Sequence, residues 1–347
     1  MGKTIGRHYP PEWEKQAVIW LTWPHNKDEW DKKRLPKIRG FYEKLISILL
    51  DFQDVNLIFH TEDLLVKTRF VVSPNKKHCL RKIIIPNNDI WIRDYGPFFM
   101  KCDVEMLHAT SLLVDFEFNA WGGKYPPWNL DNKVPIKISK YLGLEIESYP
   151  LVVEGGALEF SGDGLILTTE PCILNKNRNP KLNKNQIENI LKSAFNIKEV
   201  IWLKRGLKGD HTDGHIDNVA RFIAQRKIVV TSTNDKKDPD YKHLKESIEY
   251  LKNWKHPKKK YKLEVIELPM PALIKYKGEK LPASYTNFIF VNGGIIVPTF
   301  NCEADTKTLA IFKKLFPKRK VIGIDCSLLI QEGGGLHCMS KQQPVSI

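Results

Sequence analysis

The sequence predicts a mixed α/β fold assembled from repeated units of about sixty residues, each a strand–strand–helix–strand (ββαβ) segment. Two independent observations carry that reading. Four short motifs stand at nearly even intervals: Asp94, Glu154 and His215 lie 60 and 61 positions apart, and Cys338 follows 123 positions later, about two further periods. Hairpin turns centred near residues 163, 225 and 293 repeat on a similar scale, 62 and 68 positions apart. About five such units fill 347 residues, and a fixed period of this kind implies an array or a propeller-like ring. Mixed α/β chains also alternate strands and helices at such intervals, so the period alone leaves an ordinary layered arrangement open.

In chain order, the first clear helix covers residues 35–52 and the first clear strand 55–60; the remainder of the N-terminal half is less regular. The pattern sharpens after residue 150. Strand-like runs at 157–160 and 165–169 flank Gly162-Asp163-Gly164, a strong turn signal. A helix-period stretch at 185–195 places Ile187, Ile190, Leu191 and Ala194 on one face, and a strand at 199–203 follows. The second copy has strands at 219–224 and 228–232 around a short basic turn, a helix at 241–251 and a strand at 263–266. The third has strands at 287–291 and 295–298 around Asn292-Gly293-Gly294, a helix at 306–315 and a strand at 320–324.

A hydrophobic fraction of 42% and nine tryptophans indicate a folded chain with a sizeable core, read as a single domain over residues 1–347. No apolar run approaches the roughly 18 residues that span a bilayer. The N-terminal Met1-Gly2-Lys3-Thr4-Ile5 lacks a signal-peptide hydrophobic region, so a cytoplasmic protein without membrane partners is expected. Six cysteines without a C-x-x-C pair are expected to be reduced, and no close Cys/His pairing has zinc-ligand spacing. The net charge of +14 is spread widely; its densest run, His256 to Lys262, reads as a solvated surface rather than a nucleic-acid patch.

Cys338 follows Gly333-Gly334-Gly335, a loop that allows close approach to a thiol. The bland alternative is a buried structural cysteine. His215 and Asp217 share one motif and, on a strand, would face the same side; they would otherwise satisfy local hydrogen bonds. Glu154 precedes two glycines and could orient His215, or simply sit in a turn. Asp94 follows Arg93, with which it could make a surface ion pair. Together the four motifs supply a nucleophile, a general acid/base, an orienting acid and two carboxylates able to accept from a guanidinium. That set suits covalent attack on a small cationic carbon centre.

Six stretches then point to a family: WIRDYGPFF (91–99), FNAWGGKYPP (118–127), VVEGGALEFSGDG (152–164), ILNKNRNP (173–180), DHTDGHIDN (210–218) and GGGLHCMSKQQP (333–344). The chain resembles the agmatine deiminase and bacterial-type peptidylarginine deiminase group of the guanidine-modifying enzymes. The resemblance implies a five-bladed α/β propeller (the pentein fold) with pseudo-fivefold symmetry. It implies Cys338 as nucleophile, His215 as general acid/base, Glu154 as its support, and Asp94 and Asp217 as guanidinium holders. Trp91, Trp121 and Gly122 are implied as pocket residues, with the tryptophans otherwise core. The implied substrate is agmatine, a small guanidino cation, converted to N-carbamoylputrescine for polyamine synthesis with no metal or organic cofactor. One departure, a single residue (Leu336) between Gly335 and His337 where many agmatine deiminases carry one more, keeps peptidyl arginine as the second substrate class. A non-catalytic, basic RNA- or ribosome-binding ring is the competing reading, and whether the chain forms a homo-oligomer stays open.

Overall fold

The computed structural model describes residues 6–26, 30, 32–68, 75–103 and 111–345; the Met1–Ile5 stretch lies outside them. Among these residues the chain is α/β, with five small sheets of three or four strands and a separate two-stranded ladder, Lys275–Tyr276 with Glu279–Lys280.

The five sheets share one pattern: an antiparallel pair, a helix, and a strand returning parallel to the second member of the pair. Ala220–Ala224 and Lys227–Ser232 are antiparallel, helix Tyr241–Asn253 crosses over, and Glu264–Pro269 returns parallel. Ile289–Val291, Gly294–Thr299, helix Glu303–Leu315 and Lys320–Asp325 repeat it. So do Glu159–Phe160, Leu165–Thr169, helix Lys184–Phe195 and Glu199–Leu203. The fourth copy lies in the N-terminal half, where the sequence was hard to read: Phe98–Asp103, Ser111–Glu117, helix Val134–Leu142 and Ile146–Val152.

The fifth sheet is assembled from both chain ends. Lys341–Pro344 lies antiparallel to Gln16–Thr22, helix Arg34–Leu49 follows, and Asp54–Phe59 returns parallel. That helix buries Leu35, Ile38, Tyr42, Leu45, Ile46 and Leu49, the three-and-four spacing of an inward stripe. The C-terminal strand thereby takes the place of the first hairpin strand, and its attachment holds Cys338, three residues upstream, against the N-terminal half.

Boundaries shift from the sequence reading for local reasons. The helix expected at 306–315 begins at Glu303, because Cys302 and Asp305 cap it reciprocally; a thiol is not a usual cap, so the start was hidden. The helix expected to reach residue 52 ends at Leu49. The strand expected at 157–160 shrinks to Glu159–Phe160, since Gly155–Ala157 forms a 3₁₀ turn. Asn287 lies outside the strand Ile289–Val291. Among the described residues, no helix is long and apolar enough to cross a membrane.

One buried charge gives a stability prediction. Asp115, on the strand Ser111–Glu117, is 8% exposed and accepts a hydrogen bond from Ser148 Oγ at 3.2 Å. Burial, together with the charge of Glu117, pushes its pKa up to about 7. The folded state therefore holds this proton more tightly than the unfolded chain. Stability falls as pH rises from the ordinary carboxyl range through about 7. Asp115→Asn should stabilise the protein by about 2–4 kcal/mol at pH 9 and little at pH 3. Denaturant midpoints at the two pH values check it; an equal effect at both would refute the assignment.

Candidate active site

Asp94 sits on a single helical turn, Ile92–Tyr95, and is 4% exposed. Its Oδ1 accepts the Gly156 amide at 2.8 Å and its Oδ2 accepts Trp121 Nε1–H at 2.9 Å. The expected alternative of an Arg93–Asp94 surface pair is not what forms. Arg93 is buried and faces elsewhere, donating to Glu12 Oε1 at 2.8 Å and to the carbonyl of His337 at 3.1 Å. Its own amide donates to the Cys338 carbonyl at 3.1 Å, tying the Asp94 turn to the cysteine loop.

Glu154 is fully buried at the start of the Gly155–Ala157 turn. Arg178 Nε donates to both of its oxygens, at 2.7 and 3.1 Å. Among the described residues Glu154 makes no hydrogen bond of the triad type to His215; it acts on that ring through its charge.

His215 does not lie on a strand, as the same-face argument with Asp217 assumed; it begins a 3₁₀ turn over Ile216–Asn218. Its amide donates to Asp210 Oδ2 at 3.1 Å and Thr212 Oγ1 at 3.0 Å. The ring is fully buried with Nδ1 3.7 Å from Asp94 Oδ1, and among the described residues neither ring nitrogen has a hydrogen-bond partner. Burial would lower the imidazole's pKa, but Asp94, the Cys172 thiol and Glu154 hold it well above the usual value.

Asp217, fully buried, lies with Oδ2 2.8 Å from His337 Nδ1, while its Oδ1 is buried without a partner. Burial alone would raise this carboxyl; the hydrogen bond from His337 and the charges of His337, His215 and Arg221 hold it below the ordinary range. For Asp94, burial wins, and with the charges of Asp217 and Glu154 it pushes the pKa up to about 6.

Cys338 is 6% exposed. Asn287 Nδ2 donates to its sulfur at 3.2 Å, and Asp217 Oδ2 lies 3.6 Å away. Burial and the charges of Asp217 and Asp94 push the thiol well above its usual pKa, against the Gly335 amide and Asn287. The glycines before it are required by contact: a Cβ at Gly334 would collide with the Trp91 ring, and one at Gly335 with the Asn287 amide.

Of these groups, Asp94 and Cys338 line a cavity of about 160 Å³, together with Trp30, Trp91, Trp121 and Tyr125 among others. Trp121 reaches it from a left-handed backbone conformation, φ 56°, uncommon for a bulky residue. Gly122, expected in the pocket, stands behind it, where a Cβ would collide with Asn177. The cavity's described lining holds three acids, Asp89, Asp94 and Glu332, and no lysine or arginine; Glu332 is paired with Arg34 at its edge.

Several partners escaped the sequence reading. Arg178 and His337 lie inside quoted motifs but carried no assigned role, Asn287 was placed on a strand, and Glu12 had no local signal at all. Spacing also concealed a set of metal-type donors. Glu154, Cys172 and His215 bring one oxygen, one sulfur and one nitrogen within 4.8 Å of one another. The Arg178 guanidinium on Glu154 already supplies positive charge there, which disfavours a cation.

Comparison with known proteins agrees with the geometry. The agmatine deiminase of Pseudomonas putida is 33% identical over 99% of this chain and 96% of its own length. The structure of C. jejuni agmatine deiminase with substrate bound superposes at TM-score 0.87, with 31% identity, covering 100% of this chain and 99% of that one. The agmatine deiminase of Enterococcus faecalis does so at TM-score 0.90, with 30% identity over 99% and 97%. The sequence profile of one family matches residues 8–344, spanning every element of the site from Glu12 to Cys338. The chain therefore belongs to the Porphyromonas-type peptidyl-arginine deiminase family.

Proposed function

We propose that this chain is a hydrolase that converts agmatine to N-carbamoylputrescine and ammonia through a thiouronium on Cys338, supplying polyamine synthesis in the cytoplasm. On this reading the whole chain is one catalytic domain and its five sheets are the blades of a ring around the site. The observation that carries the substrate assignment is the acidic lining of the cavity. Agmatine brings a guanidinium and a distant ammonium, whereas free arginine adds a carboxylate that would face acids with no lysine or arginine in the described lining. The deiminases of P. putida and E. faecalis are named for agmatine, which supports the same reading.

The guanidinium nitrogens donate to Asp94 and to the unpartnered Oδ1 of Asp217, which sets the central carbon against the Cys338 sulfur. The bound cation offsets the two carboxylates that keep the thiol protonated, so its proton leaves to solvent. Thiolate attack forms the C–S bond. His215 then protonates one nitrogen as the C–N bond breaks, releasing ammonia and leaving the thiouronium. Neutral His215 next takes a proton from water as the oxygen adds to the same carbon; the thiolate then departs, and the adduct's remaining hydroxyl proton is lost to solvent, leaving the neutral ureido product. Trp91 and Trp121 pack on the aliphatic chain.

Attack requires ionised Cys338 and protonated His215, and both groups titrate above their usual values. The kcat/KM profile, which reports the free enzyme, should rise into the alkaline range as the thiol ionises and fall where the imidazolium is lost. Its maximum is expected above neutrality. A maximum below neutrality would contradict this assignment.

The function is tested by ammonia release and product identification with agmatine, free arginine and a blocked peptidyl arginine. Turnover of agmatine with a ureido product is expected. Preference for the blocked peptide would make this a protein-modifying enzyme. Silence on all three would return the chain to the RNA-binding reading.

A further inference from the structure

Asp217 is held from behind by a chain of buried groups that no step above uses. His337, 1% exposed, lies between two carboxylates: Nδ1 is 2.8 Å from Asp217 Oδ2, and Nε2 is 2.6 Å from Glu12 Oε1. Glu12 is fixed in turn, with Oε1 accepting from Arg93 at 2.8 Å and Oε2 from Arg221 at 2.7 Å. Arg221 also donates to Glu159 at 2.6 Å, so each group has a reason to stay where it is. The backbone completes the frame: the His337 amide donates to Asn287 Oδ1 at 2.8 Å and its carbonyl accepts Arg93 Nε at 3.1 Å.

We propose that His337 is the positioning residue for Asp217, holding Oδ2 from a Glu12-anchored ring so that the carboxylate keeps its place beside Cys338 and Oδ1 is left to accept from the substrate guanidinium. Two carboxylates cannot both approach one imidazole this closely unless each contact holds a proton. The Nδ1 contact supplies its proton to Asp217 as a donor, and the proton between Nε2 and Glu12 fastens the other end of the ring. At Asp217 one oxygen is bonded and the other, among the described residues, is buried with no partner. A buried lone acceptor is unfavourable unless a ligand satisfies it. A guanidinium N–H is the donor that fits. The inference rests on the deiminase reading above, because it assigns the oxygen's missing donor to that substrate.

Two substitutions separate positioning from mere packing. In His337→Asn the side-chain amide nitrogen stands near the former Nδ1 and keeps the donation to Asp217, while contact with Glu12 is lost. In His337→Gln the amide reaches toward Glu12 and leaves Asp217 unclamped. Each variant loses one buried contact, so their thermal midpoints should fall by similar amounts. The expected split is in KM for agmatine, about thirtyfold higher for the glutamine variant and within about threefold of wild type for the asparagine variant. Equal KM values for the two would overturn the proposal, as would a loss confined to kcat. Wild-type enzyme is also measured by ¹⁵N spectroscopy of its histidine rings, with His215→Asn to distinguish the other buried imidazole. His337 should carry a proton on Nδ1; a bare Nδ1 overturns the proposal even if neither variant folds. Absence of agmatine turnover by the wild type would refute the deiminase reading instead, and the ring spectrum would still decide the fate of the clamp.

Discussion

Cys338→Ser is expected to lower agmatine turnover by on the order of 10⁴-fold or more, while Cys172→Ser lowers it by no more than about tenfold. The contrast matters because two buried thiols stand near His215. Cys172 is fully buried on the far side, with its sulfur 4.0 Å from Glu154 Oε2, and it contributes to the raised pKa of the imidazole. Cys338 lines the cavity and receives the Asn287 amide, a donor that stabilises a thiolate. Of the two thiols, Cys338 is the one that stands beside Asp217 and lines the cavity. A serine there keeps the hydrogen-bonding shape but is a far weaker nucleophile at its ordinary pKa. Both variants should unfold at nearly the wild-type temperature, since each exchanges one atom. A thiol-directed alkylating agent should label the exposed Cys79 before the buried Cys338, and agmatine should slow the labelling of Cys338 and not that of Cys79. Retained turnover in Cys338→Ser, or equal losses in the two variants, would end the covalent assignment.

The reacting groups were legible in the sequence because each occupies a short turn with its own composition. Asp94, Glu154 and His215 each stand at or beside a single helical turn that a glycine or a short polar residue permits. Those turns recur at the same place in successive units, so the period exposed them. The repeat itself was clear in the C-terminal half, where Gly162-Asp163-Gly164 and Asn292-Gly293-Gly294 mark hairpins. In the N-terminal half one unit is interrupted between its paired strands by residues 104–110, outside the described residues, and another is split across the chain ends. No local window contains that second unit, so no period could reveal it. The groups behind the site were hidden for a similar reason. Glu12 meets His337 across 325 positions and Asn287 meets Cys338 across 51. Such partners are chosen by geometry at the meeting point of the sheets, and their flanking residues carry no matching signature. His215 shows the limit from the other side: residue type was informative, but the strand geometry assumed for it was wrong, because the Asp210 and Thr212 side chains hold its amide in a turn.

Gly156→Ala is expected to reduce kcat/KM by about a hundredfold or more with only a modest loss of stability. The substitution adds one methyl group at the centre of the catalytic set. A Cβ there would lie 2.6 Å from His215 Nδ1, 2.8 Å from Asp94 Oδ1 and 3.1 Å from Asp217 Oδ2. All three neighbours are polar atoms whose positions define the reaction, and all three would have to move. The Gly156 amide also donates to Asp94 Oδ1 at 2.8 Å, so any backbone adjustment that relieves the methyl shifts the same carboxylate. The backbone itself does not demand glycine, since Gly156 is not in the left-handed region. Strain should therefore be confined to the site, costing about 1–3 kcal/mol of stability, the range for overpacking a buried position. Gly40→Ala is the matched control. It lies inside helix Arg34–Leu49 with nothing within 4 Å of its added Cβ, so alanine should stabilise by about 0.5–1 kcal/mol and leave kcat/KM unchanged. The pair separates the effect of a methyl group on the chain from its effect at one point among three charged groups. If Gly156→Ala turned over agmatine normally, the reacting atoms could not be held at these distances during catalysis, and the assignment of His215, Asp94 and Asp217 to a single guanidinium would have to be abandoned.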